Sequence, residues 1–149
     1  MRVLVCGGRD YTDSAFVDFV LDSLHAKKPI ELIIQGEAQG ADSFAKKWAE
    51  KTPGCTSYGV PADWKTHGSR AGPIRNRQML EYGKPNLVVA FEGGAGTRDM
   101  CAAATSAWVK VIFAEKLRPH FKPSKSEKAA CGCDVLPWED CEHTRKEKR

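Results

Sequence analysis

Asn86-Leu87-Val88-Val89-Ala90-Phe91-Glu92-Gly93-Gly94-Ala95-Gly96-Thr97-Arg98-Asp99 is the stretch on which the fold turns. Leu87 to Phe91 is an unbroken apolar run. A parallel strand covered by helices on both faces reads this way, because it has no polar side to alternate with. The run is expected to be the central strand of a sheet. At its carboxyl end, Gly93, Gly94 and Gly96 let the backbone come close to a ligand. Thr97 is placed to cap a helix over Met100 to Ala107, whose free N–H groups and positive dipole end attract an anion. Two readings of these residues stand side by side: a phosphate site, or a glycine-rich turn that only reverses the chain.

Upstream, Ala62 to Leu80 carries an unusual density of polar function. Trp64 and His67 sit in a loop that runs into Gly72-Pro73, a helix start with proline in its first turn. Arg75 and Asn76 follow, expected in that first turn. A cation is disfavoured at a helix amino terminus, so Arg75 calls for an anion sharing its site. His67 reads more simply as a hydrogen-bonding surface residue.

Two further strand-loop-helix units precede this one. Arg2 to Cys6 is a short apolar strand, followed by Gly7-Gly8-Arg9-Asp10-Tyr11. A helix is then predicted from Phe16, Val17, Phe19, Val20, Leu21 and Leu24, with Thr12 or Asp13 as its cap. Arg9 can meet a phosphate and Tyr11 can stack on a base, or both can be ordinary surface and packing residues. Glu31 to Gln35 is a second strand and Ala41 to Lys51 a second helix, with Gly36 and Gly40 flanking the turn between them. Asp42 opens that helix. It reads either as a carboxylate favoured by the helix dipole or as a ribose acceptor or catalytic carboxylate. Thr56 to Val60 and Val109 to Phe113 supply two more strands. This alternation predicts an α/β fold with a mainly parallel five-stranded sheet, right-handed crossovers and helices on both faces. Ligands of such sheets bind outside the carboxyl ends of the strands, where the three glycine loops and the Arg75 helix converge.

The chain has 149 residues, 42% of them hydrophobic, and a net charge of +4. Charge is spread evenly: 14 Lys and Arg against 12 Asp and Glu through Phe113, then 9 against 7. Without a basic stripe, nothing points to a duplex-binding face. No apolar run approaches the roughly 20 residues that span a bilayer. The amino terminus reads as strand instead of secretion signal, so a cytoplasmic chain with no membrane partner is expected. Cys6, Cys55 and Cys101 fall in separate elements and are expected to be reduced thiols.

The pattern changes near residue 117, so two segments are expected: a globular domain over 1–116 and a linker with a tail over 117–149. In the tail, Cys131, Cys133, Cys141 and His143 offer four ligands of the kind a tetrahedral zinc site uses. The C-x-C and C-x-H spacings are tighter than the common knuckle, and reduced thiols in the tail are the alternative.

In its motifs the chain resembles the SLOG superfamily of Rossmann-like nucleotide-binding proteins, and within it the YspA, or cpYpsA-related, branch. The matching text is Val5-Cys6-Gly7-Gly8-Arg9-Asp10-Tyr11, then Gly36-x-Ala38-x-Gly40-Ala41-Asp42-Ser43. Further on come Pro61-Ala62-Asp63-Trp64, Ala71-Gly72-Pro73-x-Arg75-Asn76-x-x-Met79, and Gly93-Gly94-x-Gly96-Thr97. The resemblance spans about the first 113 residues. It implies a Rossmann-like three-layer fold with a pocket for a nucleotide or nucleotide-derived ligand, such as ADP-ribose, NAD or a nucleoside monophosphate. Gly93, Gly94, Gly96 and Thr97 would cradle phosphate, assisted by Arg75 and Asn76. Gly7, Gly8 and Arg9 would line the neighbouring part, Gly36 and Gly40 a second wall, and Asp42 would be a polar contact. It further implies a role in sensing or sequestering such a ligand, often in bacterial or phage conflict systems, and a homodimer.

The chain departs from a related branch at one telling place. The Lonely Guy phosphoribohydrolases carry P-G-G-x-G-T-x-x-E, and here Met100 stands where their glutamate would be, with Glu92 in place of the proline. Cleaving an N-glycosidic bond needs a carboxylate, which methionine is not. A binding protein is therefore the first expectation. The alternative is a phosphoribohydrolase or N-glycosidase using Asp99 or Asp42. Third comes single-stranded nucleic-acid binding, by similarity to DNA-processing protein A, ranked last because no basic groove is visible.

Overall fold

The computed structural model describes residues 1–122; Cys131, Cys133, Cys141 and His143, the expected zinc ligands, lie outside the described residues. The chain divides into two units, Met1–Glu115 and Lys116–Arg149. In the second, the Arg118 guanidinium lies over the Phe121 ring, 5.9 Å from its centroid.

The first unit is built from strands β1 (Arg2–Cys6), β2 (Leu32–Gln35), β3 (Thr56–Gly59), β4 (Leu87–Ala90) and β5 (Lys110–Phe113). Its helices are α1 (Ser14–Lys27), α2 (Ala41–Lys51), the single turn α3 (Trp64–His67), α4 (Ala71–Gly83) and α5 (Ala95–Ser106). All strand pairings are parallel, in the order β3-β2-β1-β4-β5. Every residue of β4 is buried, as the apolar run requires. The central strand, however, is β1. After β3 the chain crosses back over β2 and β1 and enters the sheet on the far side of β1, and that jump reverses the winding direction. With right-handed crossovers, α1 and α2 then cover one face, and α4 and α5 the other.

Local chemistry fixes the ends of the elements. Asp13 caps α1, its Oδ1 accepting the Phe16 N–H at 3.1 Å. On the same face, the Trp48 indole N–H of α2 reaches Asp22 Oδ1 of α1 at 2.8 Å, so that a buried aromatic keeps its polar end satisfied. On the other face Leu4, Cys6, Ile34, Val88 and Ala90 of the sheet pack with Met79 of α4 and with Met100 and Ala104 of α5.

Two helix starts differ from the expectation. The helix after β4 begins at Ala95, five residues before Met100, because Gly94 caps it and the Arg98 N–H closes the first turn on the Gly94 carbonyl at 3.1 Å. Thr97 therefore lies inside the first turn and is not the cap. A 3-10 turn, Gly68–Arg70, leads directly into α4 at Ala71, and this places Arg75 and Asn76 in the second turn. The segment expected to be a plain loop also contains α3, capped by Asp63, whose Oδ1 accepts the Thr66 N–H at 3.1 Å.

Among the described residues no helix is long and apolar enough to cross a membrane. Cys6, Cys55 and Cys101 are free thiols, as expected.

Candidate functional site

At the carboxyl ends of β1 and β4, where the winding reverses, opens a cavity of about 590 Å³. This is the position at which open parallel sheets take ligands, and the volume is that of a small-molecule site. Four segments wall it. Gly7, Gly8 and Arg9 come from the β1 loop, and Ala38 and Asp42 from the second loop and α2. Trp64 and Ser69 come from α3 and the turn after it, joined by Gly72, Pro73, Arg75, Asn76 and Met79 of α4. Gly94, Ala95, Gly96, Thr97 and Asp99 belong to the start of α5.

Of the residues expected from the sequence, the structure brings Gly7, Gly8, Arg9, Asp42, Arg75, Asn76, Gly94, Gly96, Thr97 and Asp99 to this cavity. Gly36, Gly40 and Gly93 stand behind it as close-packing positions. A Cβ on Gly93 would meet Thr97 Oγ1 and the Gly8 N, so the absence of a side chain lets the β4 loop lie directly on the β1 loop. A Cβ on Gly36 would strike the Arg75 guanidinium. Tyr11 packs against Phe91, ring centroids 5.4 Å apart, and His67 is an exposed residue at the end of α3.

Asp42 and Arg75 form the polar floor. Asp42 is only 6% exposed and its Oδ2 accepts the Gly36 N–H at 3.0 Å. Arg75 donates from a terminal guanidinium nitrogen to the Gly36 carbonyl at 2.6 Å. One short turn is thus gripped from both sides. The buried Gln35 shapes its start, its Oε1 accepting the Glu37 N–H at 2.6 Å and so fixing Glu37 at φ 59. Burial drives the Asp42 carboxyl up from 3.8 to about 6, against the pull of the Gly36 N–H, Arg75 and the Ala38 N–H. Burial also lowers Arg75 from its usual value, Asp42 opposes this, and Arg9 adds repulsion. Asp42 thus supplies part of the negative charge beside Arg75, and Arg9 and Arg75 bring two cations to a cavity that Asp42 and Asp99 also line.

Asn76 is 4% exposed and works as a bracket between α4 and α5. Its Nδ2 donates to the Gly96 carbonyl at 3.2 Å and to Asp99 Oδ2 at 2.9 Å, and its Oδ1 accepts from Arg75 Nε at 3.3 Å. Arg77 adds an ion pair to Asp99 Oδ2 at 3.2 Å. Met100 turns the other way, fully buried in the core. A step of about 100° along the helix separates the two side chains and gives Asp99, not Met100, to the cavity.

Two lining features escaped the sequence reading. Trp64 stood out there without a role, and here it walls the cavity. Cys6, also lining it, has its thiol held well above the usual range by a hydrogen bond to Cys101 and by burial, while Cys101, accepting that bond, is lowered to about 7. Their spacing of 95 positions gave no signal of this contact.

The raised Asp42 carboxyl has a thermodynamic consequence. A group that holds its proton more tightly folded than unfolded gives stability that is present in full below about pH 4 and is lost as pH rises through about 6. Above that, burying the charge costs about 3 kcal/mol. Asp42→Asn, which keeps an acceptor for the Gly36 N–H, is expected to gain stability over the native chain between pH 4 and 7 and to hold that gain at pH 8. Urea unfolding of both proteins at pH 4.5, 6 and 8 checks this; parallel curves at all three would contradict it.

The YspA, cpYpsA-related SLOG family model matches residues 1–67, from β1 through α3. The gene 61 protein of Mycobacterium phage D29 is 35% identical over 123 residues, which cover 77% of this chain and 98% of that one. No solved structure matches the chain significantly. The matched residues carry two of the four walls of the cavity, the Gly7-Gly8-Arg9 loop and the Asp42 turn, and Trp64 of a third, and the phage relative extends the likeness beyond them; the chain belongs to the YspA, cpYpsA-related SLOG family.

Proposed function

We propose that the cavity captures a phosphorylated nucleotide or nucleotide derivative, which the protein senses or sequesters. The observation that carries this reading is the start of α5. No side chain caps that helix, and Gly94, Ala95, Gly96 and Thr97 bring its first turn to the cavity. Space is open where Cβ atoms on Gly94 and Gly96 would stand, so a ligand can come directly against the backbone. The unpaired N–H groups of such a turn bind phosphate oxygens, and the dipole favours negative charge. Arg9 and Arg75 add positive charge from the facing walls, and the SLOG family supports a nucleotide as the bearer of the phosphate. Calorimetric titration with AMP against adenosine tests the reading. AMP is expected to bind at least about tenfold tighter, since a charge-assisted contact contributes roughly 1.5 kcal/mol or more; equal affinities would contradict phosphate anchoring.

A second reading, hydrolysis of the ligand's N-glycosidic bond, is favoured by the pairing of two unlike carboxylates at one cavity. Asp42, with a value of about 6, carries a proton for part of the time near neutrality, whereas Asn76 and Arg77 both bond the Asp99 carboxylate. Such a difference in environment is how one site supplies an acid and a base or stabilising anion. Release of ribose 5-phosphate and free adenine from AMP would support it; AMP recovered whole after prolonged incubation would exclude it for this substrate.

A further inference from the structure

We propose that Trp64 is the base-carrying subsite of the cavity, a platform on which the planar aromatic base of the ligand stacks; this rests on the phosphate-anchored reading above. Trp64 is a large aromatic side chain that the fold leaves 48% exposed, although it belongs to the wall of a cavity and not to an outer surface alone. An indole in that setting has a π-face available to a planar partner.

The position is built. Asp63 caps the single turn that carries Trp64, and the His67 N–H closes that turn on the Asp63 carbonyl at 3.0 Å. The edge of the indole lies 3.5 Å from where a Cβ on Gly72 would stand, so the ring borders the start of α4. The Arg9 guanidinium, from the β1 loop, lies over the ring at 5.3 Å from its centroid. A planar cation is thus already held on the indole across the cavity. Arg9 is an exposed, flexible side chain, and a ligand that brings both a phosphate and a base offers each partner a better one: an anion for the guanidinium and a neutral aromatic plane for the indole.

Stacking reads the π-face and not the hydrogen-bonding edge of a base, so it accepts every nucleobase and rejects a bare sugar phosphate. The ligand class is therefore narrowed to compounds in which an aromatic base and a phosphate are joined through a sugar. Ribose 5-phosphate, which keeps the phosphate and sugar alone, should gain nothing from Trp64.

The test is calorimetric titration of the full chain and of Trp64→Leu and Trp64→Tyr with AMP, ribose 5-phosphate and adenosine. The native chain is expected to bind AMP roughly 10–100-fold tighter than ribose 5-phosphate. Trp64→Leu should bring AMP down to the affinity of ribose 5-phosphate while leaving the latter unchanged, and Trp64→Tyr should restore most of the difference. AMP bound equally by the native chain and Trp64→Leu would overturn the proposal. So would an equal proportional loss of AMP and ribose 5-phosphate, which would make Trp64 a wall and not a platform. Adenosine bound as tightly as AMP and lost in Trp64→Leu would keep the base subsite and refute the phosphate anchor. No binding of any of the three would overturn both.

Discussion

Gly40→Ala is expected to destabilise the fold by roughly 3–5 kcal/mol, from two separable causes. Gly40 sits at φ 79 and ψ −129 as it caps α2, a region that side-chain-bearing residues rarely occupy, and forcing alanine into it costs about 1–3 kcal/mol. A Cβ there would also overlap the Gly8 carbonyl oxygen and press to 2.9 Å on that of Arg9, both backbone atoms of the loop that walls the cavity. Neither can swing aside as a side-chain end would, so the β1 loop must move with the substitution. Gly54 isolates the first cause. Its φ is 81, yet nothing lies within 4 Å of its would-be Cβ, so Gly54→Ala carries the conformational cost alone. Urea unfolding of the two variants compares a strained position with and without overlap, and Gly40→Ala should lose the more stability. Gly40→Ala should also lose affinity for AMP, and Gly54→Ala should keep it. Equal unfolding midpoints would mean that the two loops are not in close register.

Arg75→Ala is expected to weaken AMP binding by roughly 1.5–3 kcal/mol, or about 10–150-fold, if its guanidinium shares the ligand phosphate. The residue is well placed for this without being free to wander. One nitrogen is fixed on the Gly36 carbonyl and Nε on Asn76, so the side chain arrives at the cavity preorganised and little rotamer entropy remains to be lost on binding. Its removal also leaves the Asp42 carboxylate without a neighbouring positive charge, and the variant's stability should fall more steeply than the native chain's as pH rises through 6. Calorimetry at pH 5 and 8, with thermal melts alongside, separates the two effects. Undiminished affinity in a folded Arg75→Ala would remove Arg75 from the site.

The sheet was legible because buried parallel strands are written in apolar runs: Val3 to Val5, Ile33-Ile34 and Leu87 to Ala90 are all buried as read. The place of each strand was not. A crossover from β3 to the far side of β1 leaves no local mark, since a buried apolar run reads the same at the centre of a sheet as one strand away from it. The glycines were legible as special positions, but their reasons were not. Gly94 and Gly96 are open toward the cavity, whereas Gly40 and Gly93 are empty so that two backbones can touch, and a sequence shows both as the same letter. Helix phase decided the carboxylates. Met100 holds the position of the hydrolase glutamate and faces the core, while Asp99 faces the ligand space. Trp64 reads as a lone aromatic in a polar stretch, and neither its place in the cavity wall nor the approach of Arg9 from a loop 55 residues earlier leaves a local mark.

The most direct measurement is to incubate the full chain with AMP, NAD, ADP-ribose and adenosine, wash it, denature it and weigh what it releases. An intact phosphorylated nucleotide in stoichiometric amount is expected, and its loss from Arg75→Ala. Release of nothing, or equal retention of adenosine, would refute capture through the phosphate.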